Sequence, residues 1–161
     1  MTTAAWRPQS NTISATTPAH TGVPGVRIAN PGGPLETVMV VDDDDFIRLL
    51  AERVLTAEGY RVVSARDGFE AMDILAKLGE SVDVVVLDFV MPTMDGTQVL
   101  HALRKIVPNL PIIITSGFTE NGGLRDLLSK GICGFIPKPL ARHKLLHSVR
   151  ATIDEFRGTL R

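Results

Sequence analysis

The chain has 161 residues, 44% of them hydrophobic and 22% charged, with a formal net charge of −1. That length suits one domain with a core of its own, and so small a net charge offers no global field for nucleic acid or an anionic membrane. The single cysteine, Cys133, excludes a disulfide framework or a cysteine-based zinc site within one chain, and no apolar stretch approaches transmembrane length. A reducing, cytoplasmic location is the expectation, with Cys133 read as a small buried hydrophobe.

Residues 1–34 differ from everything after them. They are rich in Thr, Ser, Pro and Gly and contain no Asp or Glu, a composition that cannot bury enough surface to offset its ordering entropy. No continuous apolar run follows Met1, so a secretory signal is excluded, and Pro8, Pro18, Pro24, Pro31 and Pro34 oppose the amphipathic helix of an organellar transit peptide. The segment is expected to be a disordered tail, with Trp6 its one aromatic residue.

From Leu35 onward, strand and helix patterns alternate. Thr37–Val41 reads as a first strand, followed by a helix with Phe46, Leu49, Leu50, Val54 and Ala57 on its apolar face, stopping at Gly59. Arg61–Ala65 is a short second strand, and the second helix carries Ala71, Met72, Leu75 and Leu78 to Gly79. Val82–Leu87 is the most apolar strand; the third helix turns Val99, Leu103 and Ile106 inward and ends before Pro108. Pro111–Thr115 is the fourth strand. A weaker fourth helix contains Leu124, Leu127 and Leu128, Gly134–Pro137 is the fifth strand, and the fifth helix presents Leu145, Leu146, Val149, Ile153 and Phe156. Five such units with short connections predict a doubly wound α/β fold with a parallel sheet.

The chemistry is concentrated where strands end. Asp42, Asp43, Asp44 and Asp45 follow the apolar run of the first strand, and Asp88 follows that of the third. Parallel strands deliver their carboxyl ends to one edge, where ligands bind. If the two strands are neighbours, at least three carboxylates converge, and these ionise together only when a cation offsets their repulsion. An oxygen-only cluster suits a hard ion such as Mg²⁺. Asp44 and Asp45 instead suit the N-terminus of the first helix, capping free N–H groups and complementing its dipole, and are not read as ligands.

Four motifs in order, Val40-Val41-Asp42-Asp43-Asp44, Leu87-Asp88-Phe89-Val90-Met91-Pro92-Thr93-Met94-Asp95-Gly96, Thr115-Ser116-Gly117 and Phe135-Ile136-Pro137-Lys138-Pro139, give the chain a resemblance to the response-regulator receiver domain. It covers roughly Leu35 to Phe156. The resemblance implies a flavodoxin-like five-stranded sheet of order 2-1-3-4-5 with five helices, spanning residues 35–157 and followed by a short tail, 158–161. It implies Asp88 as phosphoacceptor, since a carboxylate can attack a phosphoryl group directly. It also implies Mg²⁺ held by Asp42, Asp43, Asp88 and the backbone carbonyl of Val90. Lys138 would pair with a carboxylate at rest and with a phosphoryl oxygen afterwards. Ser116, followed by the small Gly117, fits the hydroxyl position better than Thr115, whose side chain would point to the other face of the strand. Phe135 takes the aromatic place of a switch pair with Ser116.

The implied partners are a histidine kinase or histidine phosphotransfer protein and a downstream protein reading the face of helix four, strand five and helix five, with no role for nucleic acid or membrane. The chain would act on no substrate but its own phosphorylation and dephosphorylation. A haloacid dehalogenase-like phosphohydrolase shares the Asp nucleophile, hydroxyl, Lys and Mg²⁺, but needs a second acid where Val90 stands and a cap domain. With Arg157–Arg161 left after the last helix, neither a DNA-binding nor an enzymatic output domain fits, so a stand-alone receiver is expected. His143 and His147 at i and i+4 have no recognisable third ligand and read as an exposed helix face. His101 reads as an ordinary residue of the third helix, and Asp95-Gly96 as a turn leading into it.

Overall fold

The computed structural model describes residues 35–117, 126 and 129–159. The strands are β1 (Thr37–Val41), β2 (Arg61–Ala65), β3 (Val84–Asp88), β4 (Ile112–Ser116) and β5 (Gly134–Pro137), all parallel in the order β2-β1-β3-β4-β5. This is the flavodoxin-like doubly wound sheet. Among the described residues there are four α-helices: α1 (Asp45–Ala57), α2 (Gly68–Leu78), α3 (Gly96–Ile106) and α4 (Arg142–Thr159), the last matching the fifth predicted helix. Leu124, Leu127 and Leu128 of the predicted fourth helix lie outside the described residues, as do Trp6 and the rest of the tail.

β1, β3 and β4 are buried along their whole length because helices cover both faces of the sheet. Alternate residues feed two apolar layers. Met39, Val41, Val85, Leu87, Ile112 and Ile114 pack with α2 and α3, whereas Val38, Val40, Val84, Val86, Ile113 and Ile136 pack with α1 and α4. From β1 the chain runs out to β2 on one side and then crosses back to β3 on the other, so the carboxyl ends of β1 and β3 flank the switch point of the sheet.

Several faces differ from the sequence reading. On α1 the fully buried residues are Ala51 and Leu55, whereas Phe46 is 71% and Leu49 is 47% exposed. Ala51 and Leu55, four residues apart, share the face turned to the sheet, and helical spacing puts Phe46 and Leu49 on the other side. Leu78 and Ile106 end their helices partly exposed, the last turn beyond α3 being closed by Val107 and Leu110 instead. Cys133 is exposed rather than buried. Its N–H already bonds the Ile112 carbonyl at 2.8 Å; with the chain extended there, Ile132 faces the core and Cys133 faces out.

At the opposite edge from the acidic residues, an ion-pair network ties the C-terminal helix to the strand entries. Glu36, 4% exposed, receives the Arg150 guanidinium through both carboxylate oxygens and also pairs with Arg157. Arg150 reaches Asp154 at 2.8 Å, and Arg157 reaches Asp83 at 3.3 Å. Breaking a buried pair leaves a charge uncompensated. Glu36→Ala is therefore expected to lower the unfolding free energy by about 3 kcal/mol in urea titration; a loss below about 1 kcal/mol, the value of an exposed pair, would contradict this.

Candidate functional site

Period-two alternation carries three charged side chains to one face at one edge. Asp42 lies two residues beyond Val40, Asp88 two beyond Val86, and Lys138 two beyond Ile136, all in the layer facing α1 and α4. β1 and β3 are paired neighbours, Val41 opposite Leu87, so Asp42 and Asp88 emerge side by side. The Lys138 ammonium sits between them, 2.9 Å from Asp42 Oδ2 and 3.1 Å from Asp88 Oδ2. Asp42 and Asp88 are 3% and 4% exposed, whereas Asp43 is open to solvent. Carboxylate oxygens of Asp42, Asp43 and Asp88 all lie within 4.8 Å of one another.

Every polar atom of Asp42 is engaged. Its N–H donates to the Ala65 carbonyl at 3.2 Å, its Oδ1 accepts the Asp44 N–H at 2.9 Å, and its Oδ2 accepts from Lys138. Its main-chain carbonyl accepts from Arg48 Nη1 at 2.7 Å. Asp44 caps α1, accepting from the N–H groups of Phe46 and Ile47 at 2.8 and 3.2 Å, and Asp45 opens the first turn, as read from the sequence. Neither belongs to the carboxylate triad.

The loop after β3 is shaped by two local devices. Asp88 Oδ1 accepts the Val90 N–H at 3.2 Å, turning the chain so that Val90 stands half-exposed at the rim while Met91 is buried. Asp95 leads into α3 as its N-cap, in a full capping box with Gln98. Gly96 is demanded by space: a Cβ there would lie 2.7 Å from the Phe89 Cα, and its N–H donates to the Phe89 carbonyl at 2.9 Å.

β4 and β5 supply the remaining positions. Thr115 is the direct cross-strand partner of Asp88, with Ser116 one step nearer the edge and both of them buried. Ile114 pairs with Phe135, which places Ser116 and the half-buried Phe135 on the face opposite Lys138. The Ser116 carbonyl accepts the Lys138 N–H at 2.9 Å, tying the two strand ends together, and the Lys138–Pro139 peptide is cis. His101, His143 and His147 are exposed and outside any cluster of three metal-ligating side chains among the described residues. Arg48 is the participant that motif reading missed; its position one turn into the first helix after an acidic run is the signal that was available.

The electrostatics follow from this packing. Burial pushes the Asp88 carboxyl above the usual aspartate range, and the neighbouring Asp42 charge pushes the same way; the hydrogen bond from Lys138 and that from the Val90 N–H oppose it. Burial alone would lower the Lys138 ammonium, but its pairing with Asp42 and Asp88 outweighs this and leaves it raised. Lys138 already acts as the cation that lets two buried carboxylates coexist. An all-oxygen cluster that recruits an ammonium is a donor set suited to a hard divalent ion.

The family model described as the response regulator receiver domain matches residues 38–150, and the chain belongs to that family. It is 40% identical over 119 residues to the sensor kinase CckA of Brucella abortus, covering 74% of this chain and 13% of the kinase. It is 37% identical over 123 residues to the response regulator MprA of a Mycobacterium species (strain KMS), covering 72% of this chain and 50% of that protein. The chain thus spans half or less of the length of these curated relatives. Among solved structures, the CheX–CheY–BeF₃–Mg²⁺ complex of Borrelia burgdorferi contains a similar chain, 34% identical, with a TM-score of 0.70 over 75% of this chain and 90% of that one.

A raised carboxyl pKa means that ionising Asp88 costs stability. Its contribution is full below the ordinary aspartate range and is lost as pH rises through its own elevated pKa. In metal-free protein at neutral pH, Asp88→Asn is expected to raise the melting temperature, and the gain should shrink as pH falls into the acid range. A melting temperature lowered by the substitution at neutral pH would contradict the burial argument.

Proposed function

We propose that this chain works as a phosphorylation-controlled module of two-component signalling, with Asp88 accepting a phosphoryl group from a partner's phosphohistidine. The observation that carries this reading is the Lys138 ammonium bridging Asp42 and Asp88 beside Asp43, at the switch point of the sheet. Asp88 is the acceptor because it ends the central strand. An oxygen of its carboxylate forms the new O–P bond as the N–P bond of the donor breaks. Asp42, Asp43, Asp88 and the Val90 carbonyl would hold Mg²⁺. When bound, that ion screens the carboxylates from the incoming phosphoryl oxygens and stabilises charge in transfer. Lys138 exchanges a carboxylate oxygen for a phosphoryl oxygen without leaving its place. Beyond its own phosphorylation state the chain needs no catalytic activity.

Ser116 offers a route from chemistry to surface. Its hydroxyl, at the strand edge, would be drawn toward the phosphoryl group on the Asp88 face, away from the face it shares with Phe135. That movement opens room for the Phe135 ring and biases the adjoining surface of β5 and α4, where a downstream protein would read it. On α1, Phe46 and Leu49 stand exposed at i and i+3 beside the acidic edge, an apolar strip on which a helix of the phosphodonor could pack. Among the described residues no helix is long and apolar enough to cross a membrane, and we place the module in the cytoplasm, where histidine kinases present their phosphoryl groups.

The test is incubation with a small acyl-phosphate donor and Mg²⁺, followed by intact mass. The parent is expected to gain one phosphoryl group, and Asp88→Ala or excess chelator none. Undiminished incorporation in Asp88→Ala would overturn the assignment.

A further inference from the structure

We propose that Arg48 is a positioning residue of the acidic site: its guanidinium fixes the peptide between Asp42 and Asp43 and thereby sets the direction in which the Asp43 carboxylate is presented. The inference rests on the metal reading of that site and deepens it.

The contacts are specific. Arg48 belongs to the first full turn of α1, its side chain only 18% exposed. Nη1 donates to the Asp42 main-chain carbonyl at 2.7 Å, and Nη2 pairs with the Asp45 carboxylate. Its own N–H donates to the Asp44 carbonyl at 2.9 Å. One side chain therefore spans the strand-to-helix turn that carries both acids, from the last residue of the extended chain to the first residue of the helix.

The geometry explains why this matters for Asp43 in particular. Asp42 is held independently by Ala65, the Asp44 N–H and Lys138. The Asp43 side chain is exposed, and the peptide preceding it is held through its carbonyl by Arg48. A metal ligand left to solvent pays rotamer entropy on binding unless its backbone is fixed. Arginine rather than lysine suits the task. Two nitrogens of one planar group reach a carbonyl and a carboxylate together, whereas an ammonium on a flexible stem is not held in one such orientation. Pairing with Asp45 also offsets the Arg48 charge, which limits the repulsion a divalent ion at the triad would meet.

The experiment compares parent, Arg48→Ala, Arg48→Lys and Asp45→Asn in the full chain. Mg²⁺ dissociation constants come from calorimetric titration, and exchange of the Asp43 and Asp44 amide protons is followed in metal-free protein. Arg48→Ala is expected to weaken Mg²⁺ about tenfold and to speed amide exchange at these residues. Arg48→Lys should recover part of both, and Asp45→Asn should weaken Mg²⁺ by a smaller factor. A role confined to holding α1 would lower the melting temperature and leave Mg²⁺ affinity within about twofold of the parent, below the outer-shell range; that result overturns the inference. If Arg48→Ala fails to fold, Arg48→Lys and Asp45→Asn decide by the same two readouts. If the parent itself binds no Mg²⁺, the metal reading falls, and metal-free amide exchange decides alone: unchanged protection in the Arg48 variants overturns the clamp.

Discussion

Two buried carboxylates side by side at the end of a parallel sheet are an unstable arrangement, and the Lys138 ammonium between them makes it tenable. Asp42 and Asp88 cannot separate, because β1 and β3 are hydrogen-bonded neighbours in fixed register. Nor can they reach water freely, being 3% and 4% exposed. A cation is therefore a structural requirement before it is a functional one. Lys138 meets it from the far strand β5, its backbone held by the Ser116 carbonyl. In the proposed function a divalent ion would take the same carboxylate oxygens that recruit Lys138, whereas the anionic phosphoryl group would be drawn to the ammonium and the ion as counter-charges.

The rest of the fold serves that constraint. The doubly wound topology puts β1 and β3 in the middle, and period-two alternation turns Asp42, Asp88 and Lys138 to one face. Helix caps finish the loops: Asp44 closes the first turn of α1, and the Asp95–Gln98 capping box fixes the start of α3. Gly96 lets that helix lie against the Phe89 backbone, so the loop carrying Val90 follows Asp88 closely. At the other edge, the Glu36–Arg150–Arg157 network anchors α4 to the strand entries.

Strands were legible in the sequence because burial on both faces writes continuous apolar runs, as in Val84-Val85-Val86-Leu87. Acids at their ends were legible because four consecutive aspartates have no packing reason to follow such a run. The sheet order was not; it entered through resemblance, because pairing of distant strands leaves no local mark, and the proposed roles of Ser116 and Phe135 came the same way. Helix faces were read less well. Weighting by size placed Phe46 and Leu49 inward on α1, where the small Ala51 sets the contact. Cys133 failed for a related reason: its residue type suggests burial, but alternation beside Ile132 turns it outward. Arg48 escaped motif reading because its contact is to a main-chain carbonyl, which the sequence marks only through its place one turn into the helix after the acidic run.

The most direct test of the shared-oxygen account is the titration of the Lys138 ammonium, followed by the carbon shift of its terminal methylene with and without Mg²⁺. Without metal, pairing with Asp42 and Asp88 raises its pKa above that of an ordinary lysine. A divalent ion on the same carboxylates would cancel much of their field and add its own positive charge, so the pKa is predicted to fall on saturation with Mg²⁺. An unchanged Lys138 pKa in Mg²⁺-saturated protein would show that ion and ammonium do not share the Asp42–Asp88 site, contradicting the account at its centre.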